Sequence, residues 1–155
     1  MKEFDYYIFI DYSENLIGYC IITKEKVKEL LPKINKFVHY KDLRYKLSYI
    51  QSIKKTIQTK NILSDIFRLK IREIRQNLEI YSDVLNFIKK HDNCIIFVCI
   101  DNHEFSNFKR LVNIADGEKT KVVEESLLKE SSIEYRLSLV LDTLLNIERL
   151  NRKNG

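Results

Sequence analysis

Residues 5–23 read DYYIFIDYSENLIGYCIIT, and their interpretation decides the rest of the chain. Residues 6–11 are aromatic and β-branched, the composition strands prefer. Tyr6, Ile8 and Ile10 fall on one face; Tyr7 and Phe9 share the other with Asp11. Two apolar faces imply a central strand covered on both sides. Ser13, Glu14 and Asn15 supply a polar turn, and residues 16–23 return as a second apolar strand. The pair is a β-hairpin whose first strand ends on a carboxylate, Asp11, where an apolar run gives way to Tyr12 and Ser13.

Outward from the hairpin, residues 24–36 have helical spacing, with Pro32 placed to kink or split the helix. Residues 37–43 suggest a short strand or an extended piece, and residues 43–58 an amphipathic helix on Leu43, Leu47, Ile50, Ile53 and Ile57. Over residues 63–91, Phe67, Ile71, Ile74, Leu78, Tyr81, Leu85 and Ile88 recur at spacings of four and three. That heptad-like seam predicts one long helix, lying across a sheet or pairing with a second subunit. Residues 94–100 form an apolar strand followed by Asp101; residues 102–115 predict a helix, 119–126 a weaker strand and 132–150 a final helix. Residues 151–155 are a polar tail. The expected fold class is α/β, a mixed sheet with helices on its faces, in one domain over residues 1–150.

Hydrophobic residues make up 45% and charged residues 32% of the chain, which excludes disorder. The net charge of +5 is unevenly spread: residues 24–60 hold eleven Lys and Arg against three acids. Lys41, Arg44, Lys46, Lys54 and Lys55 lie in this block with Tyr45 and Tyr49 among them, a pattern suited to a nucleic-acid backbone or to a solvated helix face. Cys20, Cys94 and Cys99 sit in apolar runs without CxxC spacing. Buried reduced thiols, and with them a cytoplasmic location, are expected. No apolar run has the length of a membrane span.

Asp11 and Asp101 each end an apolar strand. Were those strands parallel neighbours, both carboxylates would emerge at one edge. Acids gathered there suit Mg²⁺ or Mn²⁺, hard cations that take oxygen ligands and activate water at a phosphodiester.

These residues resemble the ribonuclease H-like superfamily: the hairpin with Asp11 in IFIDYS, the strand with Asp101 in FVCID and the last helix with Asp142 in LSLVLDTLL. The similarity is greatest to small members whose first strand ends in Asp-x-Ser and whose middle carries a His near a short strand, as His39, Lys41 and Asp42 do in VHYKDL. The resemblance implies a ribonuclease H-like fold and a nuclease whose metals are held by Asp11, Asp101 and Asp142. Two departures stand out. The third strand is short, and no fourth acid is compelling among Glu73, Glu79, Glu104 and Glu134. On a helical wheel Asp142 lies opposite the stripe of Ile133, Leu137, Val140, Leu141 and Leu144, which turns it toward solvent; Glu134, at the stripe's border, has the easier reach to the strand ends. The alternative function is a non-catalytic module that binds nucleic acid or protein, dimeric through residues 63–91.

Overall fold

The computed structural model describes residues 3–100 and 102–154. Strands β1 (Tyr6–Ser13) and β2 (Leu16–Thr23) form the hairpin, with Glu14 at φ +53° in its turn. Helix α1 (Lys24–Leu30) ends in a 3-10 turn at Pro32, and α2 (Lys46–Thr59) follows. Next come β3 (Arg68–Glu73), α3 (Asn77–Lys90), β4 (Cys94–Val98), α4 (Asn102–Asp116), β5 (Lys121–Glu124) and α5 (Ile133–Asn154).

The five strands form one sheet in the order β3-β2-β1-β4-β5. β1, β2 and β3 are antiparallel neighbours, while β4 runs parallel to both β1 and β5. The central position expected of β1 follows from its two apolar faces. Phe9, with Leu16, Cys20, Ile95 and Phe97, packs beneath α5 and the α1 and α2 region. Ile8 and Ile10, with Ile17, Ile21, Ile96 and Val98, pack beneath α3 and α4. Burying this much apolar area on both sides of one sheet, at about 25 cal/mol per Å², is the main force holding the layers together.

Residues 63–91 are not one helix. Arg68–Glu73 is the third strand of the sheet, and only Asn77–Lys90 is helical. Over six residues the seam's spacing of four and three competes with a plain alternation: Leu69 and Ile71 against Arg68, Lys70 and Arg72. The open edge of β2 decides between them, because its backbone groups need partners and β3 supplies them from Glu73 to Arg68. The charged face of β3 then clamps α3: Lys70 meets Asp83 at 2.6 Å and Glu79 at 3.3 Å, and Arg72 meets Glu79 at 3.1 Å. The dimer seam therefore has no continuous helix to stand on. Nor do residues 37–43 form a strand; Tyr40–Asp42 is a 3-10 turn that packs against α5. The sheet thus has its third full strand, supplied by a later segment.

Helix α5 is the keystone of its layer. Every residue from Leu137 to Asn146 is buried, because the sheet covers one side and the segment from Ile34 through α2 helps to cover the other. Gly18, which pairs with Asp11 across the hairpin, is enclosed by β3 and by Leu145 of α5. A Cβ there would stand 2.9 Å from the Lys70 carbonyl oxygen, 3.1 Å from Ile71 Cγ1 and 3.3 Å from Leu145 Cδ2. Gly18→Ala is expected to destabilise by about 1–3 kcal/mol, the usual cost of overpacking. That corresponds to a fall in Tm of roughly 3–10 °C by calorimetry; an unchanged Tm would mean that β3 and Leu145 yield to the added methyl at no cost.

Candidate metal centre

The register of the parallel strands builds the site. Ile10 pairs with Val98 and Val98 with Glu124, so Asp11, Cys99 and Glu125 follow at one level across three adjacent strands. The ladder continues as far as the Cys99 N–H, which donates to the Ile10 carbonyl at 2.9 Å. Side chains alternate along a strand. Phe9, Phe97 and Val123 face α5, and Asp11, Cys99 and Glu125, each two residues on, face the same way. One ligand atom from each of Asp11, Cys99 and Glu125 lies within 4.8 Å of the others.

Helix α5 brings Asp142 beside this group, near enough for its charge to act on Asp11 and Glu125. Ser138, Asp142, Asn146 and Arg149 form a polar row at spacings of four, four and three, and all are buried. Asp142 Oδ2 accepts from the Tyr40 N–H at 2.9 Å, and its Oδ1 lies 3.8 Å from His39 Nε2. Asn146 Nδ2 donates to the Asp142 carbonyl at 2.8 Å; its Oδ1 accepts from Ser13 Oγ at 2.9 Å and from Arg149 at 2.9 Å. Arg149 also donates to Ser13 Oγ at 3.0 Å and lies over the Tyr40 ring, 5.3 Å from its centroid. The wheel argument that turned Asp142 outward assumed a helix buried on one side. This helix is buried on both, and the Tyr40 turn lies against the part of its polar row formed by Asp142 and Arg149.

Burial shapes the electrostatics. It holds the Asp11 carboxyl well above the usual range, and the negative charges of Glu125 and Asp142 push it further; the Tyr12 N–H and the Cys99 thiol oppose this by hydrogen bonding. Burial also raises Glu125, against hydrogen bonds with Cys99 and Ser138, and raises Asp142, against the Tyr40 N–H and the charges of His39 and Lys41. Three carboxylates displaced upward together form a site short of positive charge. A dication would supply it, and the donor set fits one.

The remaining residues singled out in the sequence are scattered. Asp101 lies outside the described residues; the residue level with Asp11 is Cys99, just past the end of β4. Glu134 lines a separate cavity with Phe4, Ile95, Lys119 and Lys121, toward the opposite end of β4 and β5. Glu79 is engaged by Lys70 and Arg72 on the α3 face, Glu73 pairs with Arg75 at 2.8 Å, and Glu104 lines a cavity with Tyr12 and Tyr81. Of the basic block, Lys41 and Lys46 line the same cavity as Asp142, Asn146 and Arg149. Arg44, Lys54 and Lys55 are exposed; Arg44 lies against Tyr45, and Lys54 donates to Asn151 at 3.1 Å. Glu125 and Arg149 escape the sequence reading. Their signals were the alternation Val123, Glu125 on β5 and the polar row on α5.

The fold has counterparts among solved structures. Ribonuclease H2 from Pyrococcus horikoshii OT3 superposes with a TM-score of 0.55 at 11% identity, over 97% of this chain and 77% of that one. The ribonuclease HII in a PCNA complex from Archaeoglobus fulgidus gives 0.49 at 13% identity, over 99% and 79%. No protein-family model and no curated protein sequence matches the chain. The first likeness establishes a ribonuclease H-like fold. No helix among the described residues is long and apolar enough to cross a membrane.

An acid raised by burial opposes folding once the unfolded chain has ionised, so stability falls as pH rises out of the ordinary carboxylate range. Metal-free Asp11→Asn is therefore expected to melt above the parent at pH 7, by roughly 2–6 °C. The gap should close below about pH 4, where the parent's acid is protonated in both states. A variant that melts lower at pH 7 would contradict the electrostatic description.

Proposed function

We propose that the chain is a divalent-metal-dependent nuclease acting on DNA or RNA. The observation that carries this reading is the meeting of Asp11, Glu125 and Asp142 at one end of a ribonuclease H-like sheet, beside a cavity lined by Lys41, Lys46 and Arg149. Asp11, Glu125 and Asp142 would hold Mg²⁺ or Mn²⁺, with Asp101, by resemblance, the further acid near β4. A bound dication supplies a more acidic water and neutralises charge on the phosphodiester.

The chain's own residues do the rest. The Tyr40 N–H and His39 fix the orientation of Asp142. Arg149, buried and hydrogen-bonded to Ser13 and Asn146, gives the cavity a positive floor without a mobile side chain. Lys41 and Lys46 at its rim attract phosphates, and Arg44, Lys54 and Lys55 extend the cationic surface along α2. The Tyr40 ring has Lys46 at 5.1 Å and Arg149 at 5.3 Å from its centroid, so it orders these cations rather than stacking on a base. Tyr49 is likewise occupied, its hydroxyl bonded to the Val38 backbone.

The test is cleavage of single- and double-stranded DNA and RNA with Mn²⁺ or Mg²⁺. The parent should cut at least one of these, and Asp11→Asn should abolish cleavage while keeping the circular dichroism of the fold. Binding without cleavage would move the reading to the alternative, a non-catalytic nucleic-acid module.

Affinity should fall linearly with salt on logarithmic axes, and Lys46→Ala should reduce the slope by about 1. Parent binding that is insensitive to salt would remove nucleic acid as the partner.

A further inference from the structure

We infer that Cys99 is itself a ligand of the metal centre, and that its sulfur biases the centre toward thiophilic dications such as Zn²⁺ and Cd²⁺ over Mg²⁺. The inference rests on the reading that Asp11 and Glu125 hold a cation. It starts from the row across β1, β4 and β5, in which the middle position holds a thiol between two acids. Mg²⁺ takes oxygen ligands and sheds its water reluctantly, whereas thiolate favours Zn²⁺ and softer ions. Zn²⁺ accepts Cys sulfur, His nitrogen and carboxylate oxygen together.

The three cysteines differ in the way this assignment requires. Cys20 and Cys94 are fully enclosed in the two cores. Cys99 is partly exposed and lines a cavity of about 370 Å³ with His39, Lys41, Asp42 and Glu125. That cavity is open to solvent and far larger than one water, so a hydrated ion can reach its lining. His39 lines this cavity and the neighbouring one that contains Asp142. Among the described residues, sulfur, carboxylate and imidazole thus converge on one accessible space. In the metal-free protein the thiol keeps its proton and hydrogen-bonds to Asp11 and Glu125. When the sulfur coordinates, the S–H bond gives up its proton to water and the S–metal bond replaces it, with no change of oxidation state.

Titration of the metal-free protein with Cd²⁺ reads the bond directly through the ultraviolet thiolate-to-cadmium charge-transfer band. The band should rise to saturation at one equivalent in the parent and be absent from Cys99→Ser. Cys99→Ala serves as a second variant if the serine form fails to fold, with circular dichroism reporting the fold. Cd²⁺ affinity should fall by at least about tenfold in the variant, since even partners outside the ligand shell are worth that much. Mn²⁺ affinity, followed by the electron paramagnetic resonance of the free ion, should change less. A parent that binds Mn²⁺ but gives no cadmium band removes Cys99 from the ligand set while leaving the metal centre standing. A band that persists in a folded Cys99 variant overturns the inference. A parent that binds neither ion overturns both the inference and the metal-dependent function beneath it.

Discussion

Three carboxylates gathered near one end of a sheet repel one another and resist leaving water, while the Cys99 thiol relieves two of them by hydrogen bonding to Asp11 and Glu125. Asp11 and Asp142 are almost wholly buried and Glu125 partly so, each with its protonated form favoured by burial. A cluster of this kind opposes folding in the absence of a counter-charge, because burial in a poor dielectric disfavours the ionised form of each acid. The fold tolerates it because the remaining layers are strongly apolar. Phe9, Phe97 and the α5 leucines bury one face of the sheet, while Ile8, Ile10, Ile96 and Val98 bury the other. Such a sacrifice of local stability is common where a site must bind a cation.

Geometry reaches the site by two independent routes. Strand register sets Asp11, Cys99 and Glu125 level, and side-chain alternation points them toward α5. Helix periodicity sets Ser138, Asp142, Asn146 and Arg149 in one row, and the Tyr40 turn closes over that row through a single backbone N–H. Gly18 lies where the two meet, opposite Asp11 on β2, with the Lys70 carbonyl of β3 and Leu145 of α5 both against its Cα. Arg149 is held by Ser13, which lies two residues beyond Asp11, so the cationic floor of the neighbouring cavity is tied to the strand that carries the first acid. In the proposed nuclease, metal ligands and phosphate contacts therefore share one scaffold.

Much of this was legible before any coordinates. An acid closing a strand with two apolar faces marks the centre of the sheet, where β1 lies, and makes Asp11 the first residue of the proposed site. Asp142 is singled out by resemblance alone; its wheel position points to solvent, yet it is buried, because a wheel assumes one wet side and α5 has none over its middle ten residues. Glu125 went unnoticed because β5 is only four residues long and its register with β4 is a tertiary fact. The segment before α3 was misread because two periodicities overlap there, and an unpaired neighbouring strand, not the local sequence, selects the extended form. Cys99 was classed with the other buried thiols, since apolar flanks cannot distinguish a cysteine inside a strand from one just past its end.

The central claim is that Asp11, Cys99, Glu125 and Asp142 surround a single cation position. Crystals grown with Mn²⁺ and measured at the manganese absorption edge test it most directly. The account predicts an anomalous peak between the Asp11 and Glu125 carboxylates, on the α5 side of the sheet end. A fully occupied peak elsewhere, or a map with no peak there when Mn²⁺ saturates the protein in solution, would contradict it.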